Sequence, residues 1–190
     1  MTRFVLQSIE TAVAASKIYL EKVKNKNGYI PNLLGILSNA PTALEAYLTV
    51  SEINSRTSFS FAERETIQIT AAAKHACGFC VAGHTAIAYK QGHLAENLVN
   101  ALRNESSLPD PKLDALAIFT RTIIDQHGAV TQKQLAAFFE AGYCQQQAIE
   151  TVLGISLATL CNFTNIMAET ELNPELSEYS WPRRPSNSKE

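Results

Sequence analysis

The chain has 190 residues, a formal net charge of -2 and a sequence pI of about 6.1. This length favours one domain, and 46% hydrophobic residues are enough for a core that needs neither a metal nor a disulfide framework. The balanced charge gives no reason to expect a nucleic-acid partner. We find no apolar run of membrane-spanning length and no signal-peptide core, so we predict a cytoplasmic protein without a membrane partner.

Apolar residues recur at helical spacing along the chain, and no stretch shows sustained strand alternation. Capping-box pairs at Ser60 and Thr131 mark two helix starts, and Gly92 is predicted to stop the helix before it. The fold class is therefore predicted to be all-α. In chain order, the predicted helices cover about 4–24, a short stretch before Pro41, 42–55, 61–76, 79–91, a short helix to about 103, 111–126, one between 131 and 142, and 145–169.

The last part of the chain differs from the rest in composition. From Asn173 onward it holds three prolines, including Pro185, among charged residues and serines. We therefore predict a single helical domain over residues 1–172 and an irregular C-terminal tail over residues 173–190. The tail contains Trp181 beside Tyr179, and this aromatic pair is expected to pack on the body or on a neighbouring subunit.

Two of the four cysteines lie three positions apart and are followed by a histidine. Cys80 is i+3 from Cys77, and His84 is i+4 from Cys80, so a helix places all three on one face. Two thiols one turn apart can close a disulfide when the first lies at or before the helix start. There the helix dipole and the free N–H groups favour a thiolate, and a histidine one turn away can take the proton.

Glu65 lies twelve residues before Cys77. On one straight helix this separation is a rise of about 18 Å, so the carboxylate can reach the site only if the helix breaks. Gly78 and its small neighbours make a break near residues 76–78 plausible. Two helices packed side by side would then let Glu65 orient His84 and accept a proton in a relay.

The pattern Glu65-x11-Cys77-x2-Cys80-x3-His84 resembles the alkylhydroperoxidase D (AhpD) family of the carboxymuconolactone decarboxylase superfamily. The resemblance covers roughly residues 29–175. It implies an all-α, AhpD-like helical bundle that forms homo-oligomers, commonly trimers or hexamers. The flanking segments that also resemble the superfamily are Pro31-Asn-Leu-Leu, Phe61-Ala-Glu-Arg and Ala141-Gly-Tyr.

The resemblance also implies a chemistry, namely a thiol-dependent hydroperoxide or disulfide reductase with an antioxidant role. In this mechanism Cys80 attacks the peroxide and becomes a sulfenic acid, Cys77 resolves it to a disulfide, and His84 with Glu65 forms the proton relay. A dithiol such as a lipoyl group or a thioredoxin-like protein would then reduce the disulfide. Phe79 stands where relatives often have a histidine or tyrosine, which leaves the relay without a possible extra polar member.

Three other interpretations use the same sequence. Cys77, Cys80 and His84 could bind zinc with Glu65 or His75 as fourth ligand, although no second ligand pair is present. A decarboxylase or lactonase is possible within the superfamily, but that chemistry needs no thiol pair. A reversible disulfide could also serve a redox sensor without turnover.

We predict no metal and no cofactor, because the chain has no phosphate-binding glycine loop. The remaining cysteines, Cys144 and Cys161, are interpreted as core or surface residues.

Overall fold

The computed structural model describes residues 2–182, and within that range the regular structure is helical throughout, as predicted. The helices are α1 (Ala14–Asn27), α2 (Asn32–Leu37), α3 (Pro41–Ser55), α4 (Phe61–Lys74), α5 (Gly78–Lys90), α6 (Glu96–Arg103), α7 (Pro111–Asp125), α8 (Gln132–Glu140) and α9 (Gln145–Ala168), followed by a 3-10 helix (Pro174–Tyr179).

Helix α4 lies at the centre of the molecule and packs against α5, α7 and α9. Its residues from 65 to 73 are all buried, which follows from the alanine-rich and β-branched sequence of this stretch. Small side chains such as Ala71 and Ala72 let neighbouring helices approach closely on several sides. The buried Glu65 near its start is therefore held inside the helical layer that carries the site.

Helix α9 has 24 residues and, in the described part of the chain, is the helix long and apolar enough to cross a membrane by length and composition. The sequence interpretation had found no such run. Half of the relevant window is buried inside the protein, where α9 packs against α2, α3, α4, α5 and α7. The core helix of a bundle passes the same test, and packing accounts for the buried half of α9.

The buried apolar residues form separate clusters at different ends of the bundle. One cluster joins α1, α2 and α3 to the start of α5 and contains Cys77, Cys80 and Cys161. Another lies between α7 and α8, where the ring of Phe138 stacks on Phe119 and Tyr143 with centroid distances of 4.0 and 4.5 Å. The chemistry-bearing cysteines and the aromatic stack thus belong to different parts of the core.

The predicted first helix, about 4–24, is wrong at its beginning, because α1 starts only at Ala14. Within the segment before it, the Ala12 N–H donates to the Ser8 carbonyl at 2.9 Å, and two other backbone bonds join the segment to distant elements. The Arg3 N–H donates to the Ala168 carbonyl at 2.7 Å, and the Gln7 N–H donates to the Gly35 carbonyl at 3.2 Å. Periodicity of apolar residues does not distinguish a helix from a segment held by such long-range bonds.

The prediction that Gly92 stops α5 is also corrected. The helix ends at Lys90 with Gln91 as its C-cap, and the left-handed residue of this turn is His93, with φ of 48°. A side chain on Gly92 would collide with the ring of Phe61. Glycine is required here for close packing of α5 against the start of α4 rather than for a helix cap.

The described part of the tail is hydrogen bonded to the helical domain. The Arg103 guanidinium donates to the carbonyl oxygens of Tyr179 and Ser180 at 3.0 and 2.9 Å. In return, the indole N–H of Trp181 donates to the Arg103 carbonyl at 3.1 Å. Tyr179 also lies against Tyr89, so both tail aromatics pack on the body. The predicted irregular residue Pro185 lies outside the described residues.

Candidate active site

The site is built on a break between α4 and α5. Helix α4 ends at Lys74, Ala76 takes a left-handed conformation with φ of 57°, and α5 begins at Gly78. A left-handed alanine costs about 1–2 kcal/mol. The Cys77 N–H donates to the Ala72 carbonyl at 2.9 Å, which closes the end of α4. The break predicted near residues 76–78 is therefore present, and α4 and α5 pack side by side.

The break brings Glu65 and His84 together. Glu65 Oε2 lies 2.9 Å from His84 Nδ1, and the carboxylate is 7% exposed. Burial opposes protonation of the imidazole, but the charge of Glu65, its hydrogen bond and the nearby Cys77 together raise the pKa of His84. The pair therefore holds an imidazolium more readily than a free histidine does.

Cys77 occupies the N-cap position of α5. Its Sγ accepts the backbone N–H of Cys80 at 3.4 Å, in the place where α4, α7 and α8 use a side-chain oxygen. The pKa of Cys77 is lowered, first by the hydrogen bond from the Cys80 side chain, then by the N–H groups of Cys80 and Phe79 and the charge of His84, against the effect of burial. Cys77 is thus the thiol in this pair that favours the thiolate.

The pKa of Cys80 is shifted in the opposite direction to that of Cys77. The hydrogen bond that it donates to Cys77, its burial and the negative charge of Cys77 raise its pKa well above the ordinary value. One contact works against this trend, because the Asn165 side-chain amide donates to the Cys80 sulfur at 3.3 Å. Neither cysteine is in a disulfide, and the opposite pKa shifts make Cys77 the more acidic thiol of the pair.

A cavity of about 270 Å³ opens between the start of α5 and the end of α9. Its walls include Cys77 and Phe79 from one side and Asn165 and Ile166 from the other. Cys77 thus borders a partly apolar cavity, while the residue itself is only 2% exposed.

Sequence reasoning singled out Cys77, Cys80, His84 and Glu65, and the structure brings all four into one site. It missed Asn165, which is buried and contacts Cys80. The available signal was the presence of asparagines at positions 162 and 165, one turn apart, in the otherwise largely apolar helix α9.

The other candidate residues lie nearby but have different surroundings. His75 Nδ1 is 3.0 Å from the Asn162 amide, its ring packs on Phe163, and burial followed by the charge of Lys74 lowers its pKa. Cys161 is buried in the same apolar cluster as the site cysteines, and burial raises its pKa. Cys144 is exposed at the start of α9.

A metal site finds no support in the geometry. Within residues 2–182 no group of three or more His, Cys, Asp or Glu side chains is arranged to hold a metal ion. Glu65, a possible fourth zinc ligand, is instead hydrogen bonded to His84. The four motif residues thus form a thiol, imidazole and carboxylate arrangement suited to proton transfer.

Comparisons with known proteins agree with this fold. Residues 41–121 match the model of the carboxymuconolactone decarboxylase family, a range that contains all four motif residues. No curated protein matches the chain.

Solved structures of three similar proteins extend the likeness to nearly the whole chain. A peroxidase-related AhpD-core protein from Ralstonia eutropha has a TM-score of 0.81 at 18% identity, covering 92% of this chain and 94% of its own. A peroxidase-related protein from a Silicibacter species has a TM-score of 0.79 at 16% identity, covering 92% and 93%. The debrominase Bmp8 has a TM-score of 0.71 at 15% identity, covering 87% and 90%.

At 15–18% identity these structures show the fold alone, and their names carry different activities. The motif, the helical fold and the family match agree with one another. The chain has the AhpD-like helical fold, and residues 41–121 match the carboxymuconolactone decarboxylase family model.

Proposed function

We propose that this protein is a dithiol-dependent hydroperoxide reductase in which Cys77 and Cys80 cycle between two thiols and a disulfide. The observation that carries the proposal is the break at Ala76, which sets a thiol at a helix N-cap beside a buried carboxylate and imidazole pair. Such an arrangement supplies both an activated sulfur nucleophile and a proton donor for its leaving group.

The family resemblance assigns the first attack on the peroxide to Cys80. Three local features support Cys77 instead: its sulfur caps α5, it is the thiol that favours the thiolate, and it lines the cavity. We therefore propose that the Cys77 thiolate attacks the terminal peroxide oxygen. The S–O bond forms as the O–O bond breaks, and His84 gives its proton to the departing alkoxide, leaving an alcohol and a Cys77 sulfenic acid.

The second step uses the neighbouring thiol. Cys80 loses its proton and attacks the sulfur of the Cys77 sulfenic acid as a thiolate. The leaving hydroxyl takes up that proton, and the products are the Cys77–Cys80 disulfide and water. An external dithiol, such as a lipoyl group or a thioredoxin-like protein, then returns both sulfurs to thiols and becomes a disulfide itself. Homo-oligomerisation and a cytoplasmic location belong to the same proposal.

The cavity supports an organic hydroperoxide as the substrate. Its volume of about 270 Å³ exceeds the roughly 30 Å³ that a water molecule occupies in the liquid, so it accommodates a substituent as well as the peroxide group. Phe79 and Ile166 give that substituent apolar surface to contact.

Reductive debromination is a second candidate, supported by the similarity to Bmp8, of which a cysteine-to-alanine variant was solved in complex with 2,3,4-tribromopyrrole. The same dithiol balances this reaction. The Cys77 thiolate would take the bromine, a proton would replace it on the ring, and Cys80 would displace bromide to form the same disulfide.

A single experiment separates these reactions. The Cys144→Ser protein, which lacks the exposed thiol, is treated with one equivalent of cumene hydroperoxide or of tribromopyrrole, and free thiols, alcohol, bromide and zinc are measured. Loss of two thiols with one equivalent of alcohol supports the peroxidase, and loss of two thiols with bromide supports the debrominase. Unchanged thiols with either reagent would reject dithiol chemistry and favour a thiol-independent lyase, and stoichiometric zinc would favour a metal site.

A further inference from the structure

We propose that Asn165 is a positioning residue that holds the Cys80 sulfur as a thiolate while Cys80 resolves the sulfenic acid on Cys77. This inference rests on the proposed dithiol mechanism and assigns a role to a residue outside the Glu65, Cys77, Cys80 and His84 motif.

The geometry of Asn165 is unusual for a structural asparagine. The side chain is 3% exposed, and its amide nitrogen lies 3.3 Å from Cys80 Sγ. The Oδ1 atom of the same amide is buried and has no hydrogen-bond partner. A buried unpaired carbonyl oxygen is unfavourable, and the great majority of buried polar atoms in proteins are paired. The amide is therefore oriented toward Cys80 at a cost to stability, as is common for functional residues.

Cys80 needs such a donor more than Cys77 does. The titratable groups around Cys80 are Cys77 on its own helix, Cys161 on α9 and Tyr47 on α3. Once Cys77 is a neutral sulfenic acid, its charge no longer opposes a thiolate at Cys80, but the burial of Cys80 still does. Asn165 is the side chain whose hydrogen bond lowers the pKa of Cys80, because an N–H donor stabilises the charged sulfur more than the neutral thiol.

The second polar atom of Asn165 has a use in the same step. Asn165 lines the cavity beside Cys77, where the hydroxyl of a Cys77 sulfenic acid would form. The unpaired Oδ1 gives that hydroxyl hydrogen an acceptor. One side chain would thus contact both the attacking sulfur and the leaving group while the S–S bond forms and the S–O bond breaks.

The test compares Asn165→Leu with Asn162→Leu, both made in the Cys144→Ser protein. Asn162 is a matched control because it is equally buried, lies one turn away on α9 and bonds to His75 rather than to a site sulfur. A single turnover with cumene hydroperoxide is followed by stopped-flow fluorescence, and samples quenched with dimedone are analysed by mass spectrometry for trapped sulfenic acid.

In Asn165→Leu we expect sulfenic acid formation within about twofold of the parent and disulfide formation about tenfold slower at pH 7, the effect of one lost hydrogen bond to a charged group. Dimedone should then trap the sulfenic acid that accumulates on Cys77 in this variant. The deficit should shrink as pH rises, because higher pH forms the Cys80 thiolate without the amide. In Asn162→Leu both phases should match the parent.

Unchanged disulfide formation in Asn165→Leu, or a deficit equal at every pH, would overturn the inference and leave a packing role. A slower first phase would instead show that Asn165 serves an attacking Cys80, which also contradicts it. If the parent does not react with peroxide, the proposed function fails separately. The alkylation pH profile of Cys80 in Cys77→Ser protein then tests the contact alone, and Asn165→Ala replaces Asn165→Leu if the latter does not fold.

Discussion

The first N–H groups of a helix need hydrogen-bond acceptors, and the starts of α5 and α8 provide these acceptors in two different ways. At α8, Thr131 accepts the Gln134 N–H at 3.3 Å, and the Gln134 side chain accepts the Thr131 N–H at 2.8 Å. At α5, Cys77 caps with sulfur and accepts the Cys80 N–H at 3.4 Å. The reciprocal oxygen cap stabilises its helix, whereas the sulfur cap places an ionisable atom at the positive end of a helix dipole.

The residues packed around the two helix starts also differ, being apolar at α8 and partly polar at α5. Helix α8 packs Phe138 into an aromatic stack, where apolar contacts provide the stability. The start of α5 packs against the buried polar residues Glu65 and Asn165, one of which keeps an unpaired atom. The start of α5 is therefore built for reactivity, whereas the start of α8 is built for stability.

Cys77→Ser is expected to have the largest effect on activity and almost none on stability. Serine is a favoured N-cap residue, so the free energy of unfolding should change by less than about 1 kcal/mol. A serine hydroxyl is not ionised near neutral pH, so peroxide turnover should fall by about 1000-fold or more. Steady-state peroxide consumption and urea unfolding measure the two quantities.

Cys80→Ser is the companion variant, because it should still oxidise once at Cys77 and stop at a sulfenic acid that dimedone traps. Retention of rapid turnover in either variant would contradict the dithiol mechanism. If Cys80→Ser fails to form any sulfenic acid, Cys80 makes the first attack, as the family resemblance implies.

Phe138→Ala should have a large effect on stability and almost none on the reactivity of the site. Loss of a fully buried aromatic ring from the stack is expected to cost about 3–5 kcal/mol of unfolding free energy. The alkylation rate of Cys77 should remain unchanged in the protein that stays folded. Ile149→Ala is the control, because Ile149 is 73% exposed and its loss should change stability by about 0.5 kcal/mol or less.

Glu65→Gln should weaken the site through His84. The charge and hydrogen bond of Glu65 help to raise the pKa of His84, so the variant lowers that pKa and leaves less imidazolium beside Cys77. The pKa of Cys77 should then rise, and each unit of that rise makes thiolate-dependent alkylation below the pKa about tenfold slower. The measurement is the pH profile of iodoacetamide alkylation, with Cys144→Ser as the background.

The same variant has a consequence for stability. Because the folded pKa of His84 is raised above its unfolded value of about 6.5, its stabilising contribution is present below that pH and is lost as pH rises through the folded pKa. The wild type should therefore lose stability across that window relative to Glu65→Gln. Parallel stability curves for the two proteins would show that Glu65 does not act through the imidazole.

The sequence allowed the fold class and most helices to be predicted because apolar spacing and capping pairs are local signals. The spacing of Cys77, Cys80 and His84 is also a local signal. Glu65 was assigned to the site through the family resemblance, on the condition that the helix breaks before Cys77. The first ten or so residues were not predictable, because their backbone bonds to α2 and α9 depend on tertiary contacts. Asn165 was missed because nothing local links position 165 to position 80, which only the packing of α9 on α5 brings together.

Thr131→Ala is the smallest expected effect and completes the comparison of the two helix starts. Removing the hydroxyl leaves the Gln134 N–H without its cap and should cost about 1 kcal/mol of unfolding free energy. The alkylation rate of Cys77 should not change, because α8 lies against α7, away from the cysteine cluster. Thr131→Ser, which keeps the hydroxyl, is the control. A change in Cys77 reactivity in Thr131→Ala alone would show that the two helix starts are coupled, and the division between a stabilising and a reactive cap would then be wrong.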